Sequence, residues 1–193
     1  MIVELLPLFI TLLIAGALAG ITAGLFGNGG GFVVVPALVF VFSILADPTS
    51  DLIFVAIGTS LATIVISSAR SVIAHRARGA VDFDVVKSWA PWLLLGVGVG
   101  LYLASFARPN QLYSVFAGGV LVYSIYFLFP KALSNMSFSD TMPTGVTRAS
   151  IASVLGGFSA LLGIGGGTPT VITMVACSRP IYQAVATASG VGF

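Results

Sequence analysis

Glycine and hydroxyl residues are the groups in this 193-residue sequence whose types and spacing could do chemistry. Gly27-Asn28-Gly29-Gly30-Gly31 sits between apolar residues 18–26 and Phe32-Val33-Val34-Val35-Pro36, and Gly163-Ile164-Gly165-Gly166-Gly167 repeats the pattern further on. Four glycines in five positions let a backbone leave helical geometry without steric penalty. A helix that restarts after such a break offers unpaired N–H groups and the positive end of its dipole. That combination suits an anion. Hydroxyls can supplement the amides: Thr59 and Ser60 in one apolar stretch, Thr168 just after the second cluster, and Thr187 near the end. The spacing of Thr59, Thr63 and Ser67 places them on one helix face, with Ser60 and Ser71 flanking. Helix packing in lipid also favours such small hydroxyl residues. The expected solute-binding set is Gly27, Asn28, Gly29, Gly30, Gly31, Thr59, Ser60, Gly163, Gly165, Gly166, Gly167, Thr168 and Thr187. Gly30 and Gly166 are expected to need positive φ or close approach.

Other chemistries fit poorly. His75 is the single histidine and Cys177 the single cysteine; the first makes a multi-histidine metal site or a Ser-His-Asp triad within the membrane implausible, and the second excludes an internal disulfide. A phosphate-binding P-loop needs Gly-Lys-Ser/Thr at its end; here Phe32 or Thr168 follows the last glycine. A dinucleotide fingerprint fails at the same position. The expectation is no enzyme, no cofactor and no metal. The lone Cys177 reads as packing.

These groups need a membrane to position them. The chain is 58% hydrophobic and 7% charged, with a mean hydropathy of +1.10; a soluble domain carries about 25% charged residues. The basic residues lie in short loops, which gives no reason to expect a nucleic-acid partner. The first twenty residues carry Glu4 and no Lys or Arg, which favours a retained helix over a cleaved signal. Residues 5–45 form a helical hairpin broken at 27–31. Helices follow over about 52–74, 89–106 and 111–129, with Trp89 and Trp92 as interfacial anchors. Together these make a first repeat, 1–130. Residues 131–146 form a polar linker, and 147–193 start a second repeat broken at 163–167. There Thr168 is expected to cap a helix that opens with Pro169.

The glycine clusters superpose as Ala23–Gly31 on Ser159–Gly167, after which Ala56-Ile57-Gly58-Thr59-Ser60 matches Ala184-Val185-Ala186-Thr187-Ala188. Arg70, Arg76, Arg78, Lys87, Lys131, Arg148 and Arg179 thread to one side, against Arg108, Glu4, Asp47 and Asp51 on the other. The positive-inside rule makes the first side cytoplasmic and the N-terminus external. Three spans between two hairpins then make the repeats inverted. The arm after Gly167 has about ten residues, roughly 15 Å of helix, too short to cross about 30 Å of hydrocarbon. The tips therefore meet near the midplane. The fold class is an all-α polytopic membrane protein of inverted repeats, each a glycine-broken helical hairpin followed by three transmembrane helices, with the second repeat incomplete.

The doubled Gly-x-Gly-Gly-Gly, with Gly58-Thr59-Ser60 and the basic loop Arg78-Gly79-Ala80-Val81-Asp82, resembles the TauE/SafE sulfite exporter family of permeases across essentially the whole chain. The resemblance implies transport of a small sulfur-containing anion, such as sulfite or a sulfonate, across a bacterial-type cytoplasmic (inner) membrane by alternating access. Its partners are the small anion and the lipid bilayer, and a homodimer stays open. Family members continue for several more helices, so a truncated second repeat is expected. The alternatives are a permease for another small solute, or a non-transporting membrane scaffold.

Overall fold

The computed structural model describes residues 2–26, 30–45, 51–128 and 141–192. These fold into helices α1 (Ile2–Phe26), α2 (Gly31–Leu45), α3 (Leu52–Arg76), α4 (Phe83–Ala104), α5 (Pro109–Leu128), α6 (Gly145–Leu161), α7 (Gly167–Ala176) and α8 (Ile181–Val191). No strand occurs among the described residues. α3 and α4 are each long and apolar enough to cross a membrane. The polar linker at 131–140, and Gly27, Asn28 and Gly29 in the first cluster, lie outside the described residues.

α3 is the axis. Two of its hydroxyls bond back to their own helix: Thr63 Oγ1 donates to the Ser60 carbonyl at 2.7 Å and Ser67 Oγ to the Ile64 carbonyl at 3.1 Å. Such bonds satisfy a hydroxyl without a second helix. His75 and Arg76 occupy its last turn, where cations oppose the dipole.

α4 begins at Phe83 rather than near Trp89. Asp82 sets that start: its Oδ1 accepts from the Asp84 and Val85 N–H groups, both at 3.2 Å, and a capped N-terminus outweighs the aromatic pair as a boundary signal. Trp89 is also not an interfacial anchor. It is 1% exposed and packs with Val85, Leu93, Ala152, Met174 and Val191.

Glycines let α4 and α6 approach backbone to backbone. A Cβ on Gly96 would run into the Ser153 carbonyl, and one on Gly156 into that of Leu93. Ser153 Oγ donates to the Trp92 carbonyl at 3.1 Å across this contact. Small residues at such crossings are how helices pack where lipid removes the hydrophobic drive.

Two apolar clusters make up most of the core. One gathers Val35 and Leu38 of α2 with Ile53, Ala56 and Ile57 of α3 and Leu112 of α5. The other joins the first half of α4 to α6, α7 and α8.

Candidate functional site

The glycine turns meet against α3. Gly31, the first residue of α2, lies directly on the Gly163 carbonyl and the Ile164 Cα, so a side chain there would have no room. Gly163 lies beside Val35 and Ile57, Gly165 beside Ile64, and Gly166 beside Leu93 and Val191. Ser60 Oγ donates to the Gly163 carbonyl at 2.8 Å in a fully buried bond. Ser60 and Ile64 fall in the middle third of the 25-residue α3.

Positive φ marks the turns: Gly30 at 78°, Gly163 at 63° and Gly165 at 66°. Gly166, the counterpart of Gly30 in the repeat, has φ −70° instead. It caps α7 in right-handed geometry, so these two equivalent positions differ in backbone conformation. A Cβ on Gly30 would meet the Ala19 carbonyl at 2.8 Å, which makes Gly30 tight as well as left-handed. On Gly166 the nearest atom would be 3.4 Å away, an ordinary contact.

Thr168 is not the helix cap. α7 starts at Gly167, one residue earlier, because Gly166 already takes the cap position. Thr168 is fully buried and its Oγ1 has no hydrogen-bond partner; the same holds for Ser159 Oγ on the other side of the turn. Two orphaned hydroxyls around one turn are unusual, since a buried polar group without a partner costs about 1–3 kcal/mol. The first-turn N–H groups of α7 also lack intrahelical acceptors. This turn therefore holds polar capacity that the protein itself does not use.

Thr187 is engaged elsewhere: its Oγ1 accepts from the Asp82 N–H at 2.9 Å. It ties the basic loop to α8. Thr59 lines a cavity of about 270 Å³ between α1, α2 and α3, together with Thr63 and Ser67. A second cavity of about 420 Å³ continues it towards Arg70 and Arg78. Gly20 and Ser67 line both. The structure thus joins Gly31, Ser60, Gly163 and Ile164, sets Thr59 on a neighbouring cavity, and ties Thr187 to the basic loop. Sequence reasoning missed Ser159; its only signal was its place in the second repeat, opposite Ala23.

No group of three or more metal-ligating side chains occurs among the described residues. Cys177 follows α7 and is buried. Burial pushes its thiol up, and Arg179 partly opposes that.

A family model described as "Sulfite exporter TauE/SafE" matches residues 12–193. The chain is 35% identical over 186 residues to a probable membrane transporter protein of Haemophilus influenzae, an alignment covering 93% of this chain and 67% of the relative. It is 28% identical over 195 residues to one of Methanocaldococcus jannaschii, covering 97% and 69%. A Bacillus subtilis relative, also named a probable membrane transporter protein, is 30% identical over 187 residues, covering 86% and 67%. The chain thus spans about two thirds of these relatives' length. No solved structure matches it.

Proposed function

The chain belongs to the TauE/SafE sulfite exporter family, and from that premise we propose that this membrane transporter moves a small sulfur-containing anion, sulfite or a sulfonate, by alternating access at the meeting point of its two glycine turns. The observation that carries this reading is the contact of Gly31 with Gly163 at the middle of α3. Backbone amides and hydroxyls are the available ligands: the α7 N-terminus with Thr168 and Ser159, while Ser60 on α3 holds the Gly163 carbonyl. A negative solute is favoured there because the acidic residues of the described helices, Glu4 and Asp84, sit in the first turns of α1 and α4. Among the described residues, α2, α3, α6, α7 and α8, which build the turns, carry no carboxylate to repel an anion.

The repeats are read as inverted. Support comes from α6, which starts at the end of the bundle where α4 starts, since Gly96 faces Ser153 and Gly100 faces Gly157. Helices broken at mid-membrane in two related halves are a recurrent transporter device. The Gly163–Thr170 stretch is buried throughout, so a solute reaches it only when the hairpins shift relative to α3. The Lys/Arg-rich side is proposed to be cytoplasmic.

Purified protein in liposomes with labelled sulfite tests this. Uptake or release that saturates, and that unlabelled sulfonate or thiosulfate competes for, is expected. Absence of flux in folded, inserted protein would assign the chain a non-transporting role. Flux insensitive to every sulfur anion would move the substrate to another small solute.

A further inference from the structure

The larger cavity is a cationic recess with no described acid on its walls. Gly20 and Gly24 of α1 form one side, and a Cβ on either would meet nothing within 4 Å. The other side is the last two turns of α3 and the turn beyond: Ser68, Arg70, Ser71, His75 and Arg78. On a helix, Ser67, Ser71 and His75, spaced four apart, share one face.

The donors are uncommitted. The Arg70 and Arg78 guanidinium groups make no ion pair or hydrogen bond with any described residue, whereas that of Arg76, in the same segment, stacks over the Phe83 ring at 5.6 Å. Ser68 and Ser71 likewise have no described partner. Ser67 and Ser189 give their protons to carbonyls of their own helices and can only accept. Two guanidinium groups, an imidazole and two free hydroxyls around about 420 Å³ match an anionic oxygen cluster on sulfur or phosphorus.

The geometry points to a second anion site here, a capture recess formed by Arg70, Arg78 and His75 that takes a small free oxyanion before it reaches Thr59 and the glycine turns. The shared wall at Gly20 and Ser67 connects the recess to the Thr59 cavity. Occupancy by an oxyanion stands on the side chains alone; the role as a vestibule rests on the transport reading. A lipid headgroup phosphate offers the same chemistry as a free oxyanion, and the test separates them.

Labelled sulfite binding is measured on the full chain in nanodiscs of phosphatidylcholine, with and without phosphatidylglycerol. Arg70→Gln with Arg78→Gln is expected to weaken binding by about tenfold or more, as loss of a charge-assisted contact pair would, while the double Lys variant keeps most of the affinity. Both arginines are exposed, so folding is expected to survive, and circular dichroism of each variant verifies it. Equal affinity in wild type and the double Gln variant overturns the site. Loss of wild-type sulfite binding when phosphatidylglycerol is added, with lipid retained through purification, gives the recess to a headgroup and overturns the free-anion occupant. In liposomes the double Gln variant is expected to raise KM and leave kcat near wild type. A wild type that binds sulfite through these arginines but shows no flux keeps the site and removes the transport reading.

Discussion

At Gly31 a single hydrogen decides whether the two glycine turns can touch. Gly31→Ala would press a methyl group onto the Gly163 carbonyl, and overpacking of that kind costs about 1–3 kcal/mol. Gly30→Ala adds strain of a different origin, positive φ, on top of a tight contact. Gly166→Ala meets neither obstacle. The expected order of thermal stability is therefore Gly166→Ala above both Gly30→Ala and Gly31→Ala, read by fluorescence-detected unfolding in detergent. The pair Ser60 and Thr59 separates scaffold from passage. Ser60→Ala removes the donor to a buried carbonyl and is expected to lower stability by about 1–3 kcal/mol. Thr59→Val keeps shape but removes a hydroxyl from a cavity wall; it is expected to reduce sulfite flux and leave the melting temperature near wild type. Normal flux in Thr59→Val would assign that hydroxyl to packing.

Between helices, the same residue type plays opposite parts. Gly156 and Gly96 seal the α4–α6 contact, while Gly20 and Gly24 leave space beside α1. Gly156→Leu is expected to cost more than about 3 kcal/mol, since its carbon atoms would have to displace backbone rather than side chain. Gly20→Leu should be accepted by the fold, because nothing lies within 4 Å of the new Cβ. It would instead fill the neck shared by the two cavities. Flux is expected to fall about tenfold or more, the effect of roughly 1.4 kcal/mol of added barrier. Unimpaired flux in that variant would mean that the solute does not pass along the α1–α3 seam. These contrasts were not legible in the sequence, where every glycine reads alike. What was legible is the helix count over the described residues, the break at 163–167, and the hydroxyl face of α3, because hydropathy, glycine clustering and helical spacing are local properties. Trp89 was misjudged because tryptophan has two stable homes near a membrane, its interface and a tight core, and the choice depends on what α6 and α8 bring from far along the chain. Thr187 resembled a ligand by its place in the repeat, yet its hydroxyl is taken by the Asp82 N–H, a contact spanning 105 positions that no local pattern announces.

For the whole molecule the question is which way the helices face. α3 ends and α4 begins at a turn bearing Arg76 and Arg78, with Lys87 in the second turn of α4. At the far end, the turn between α4 and α5 carries Arg108 alone. α6 runs alongside α4 in the same direction, since Gly96 faces Ser153 and Gly100 faces Gly157. Arg148, near the start of α6, therefore lies at the end where α4 starts. The basic residues of three separate segments thus gather at one face through packing, without any membrane being assumed. Lys and Arg concentrate on the cytoplasmic side of membrane proteins, so the orientation proposed above has the Arg70–Arg78 recess on that side and the α4–α5 turn outside. Single cysteines in a Cys177→Ser background report on this directly, at Ala77 for the basic turn and Ser105 for the opposite one, both exposed. An impermeant maleimide applied to intact cells is expected to modify Ser105→Cys and to reach Ala77→Cys only after permeabilisation. The reverse pattern would turn the molecule over and put the cationic recess on the external face, making it a site for incoming rather than outgoing anions. Modification of both positions in intact cells would break the packing argument itself, because α4 alone separates those two turns.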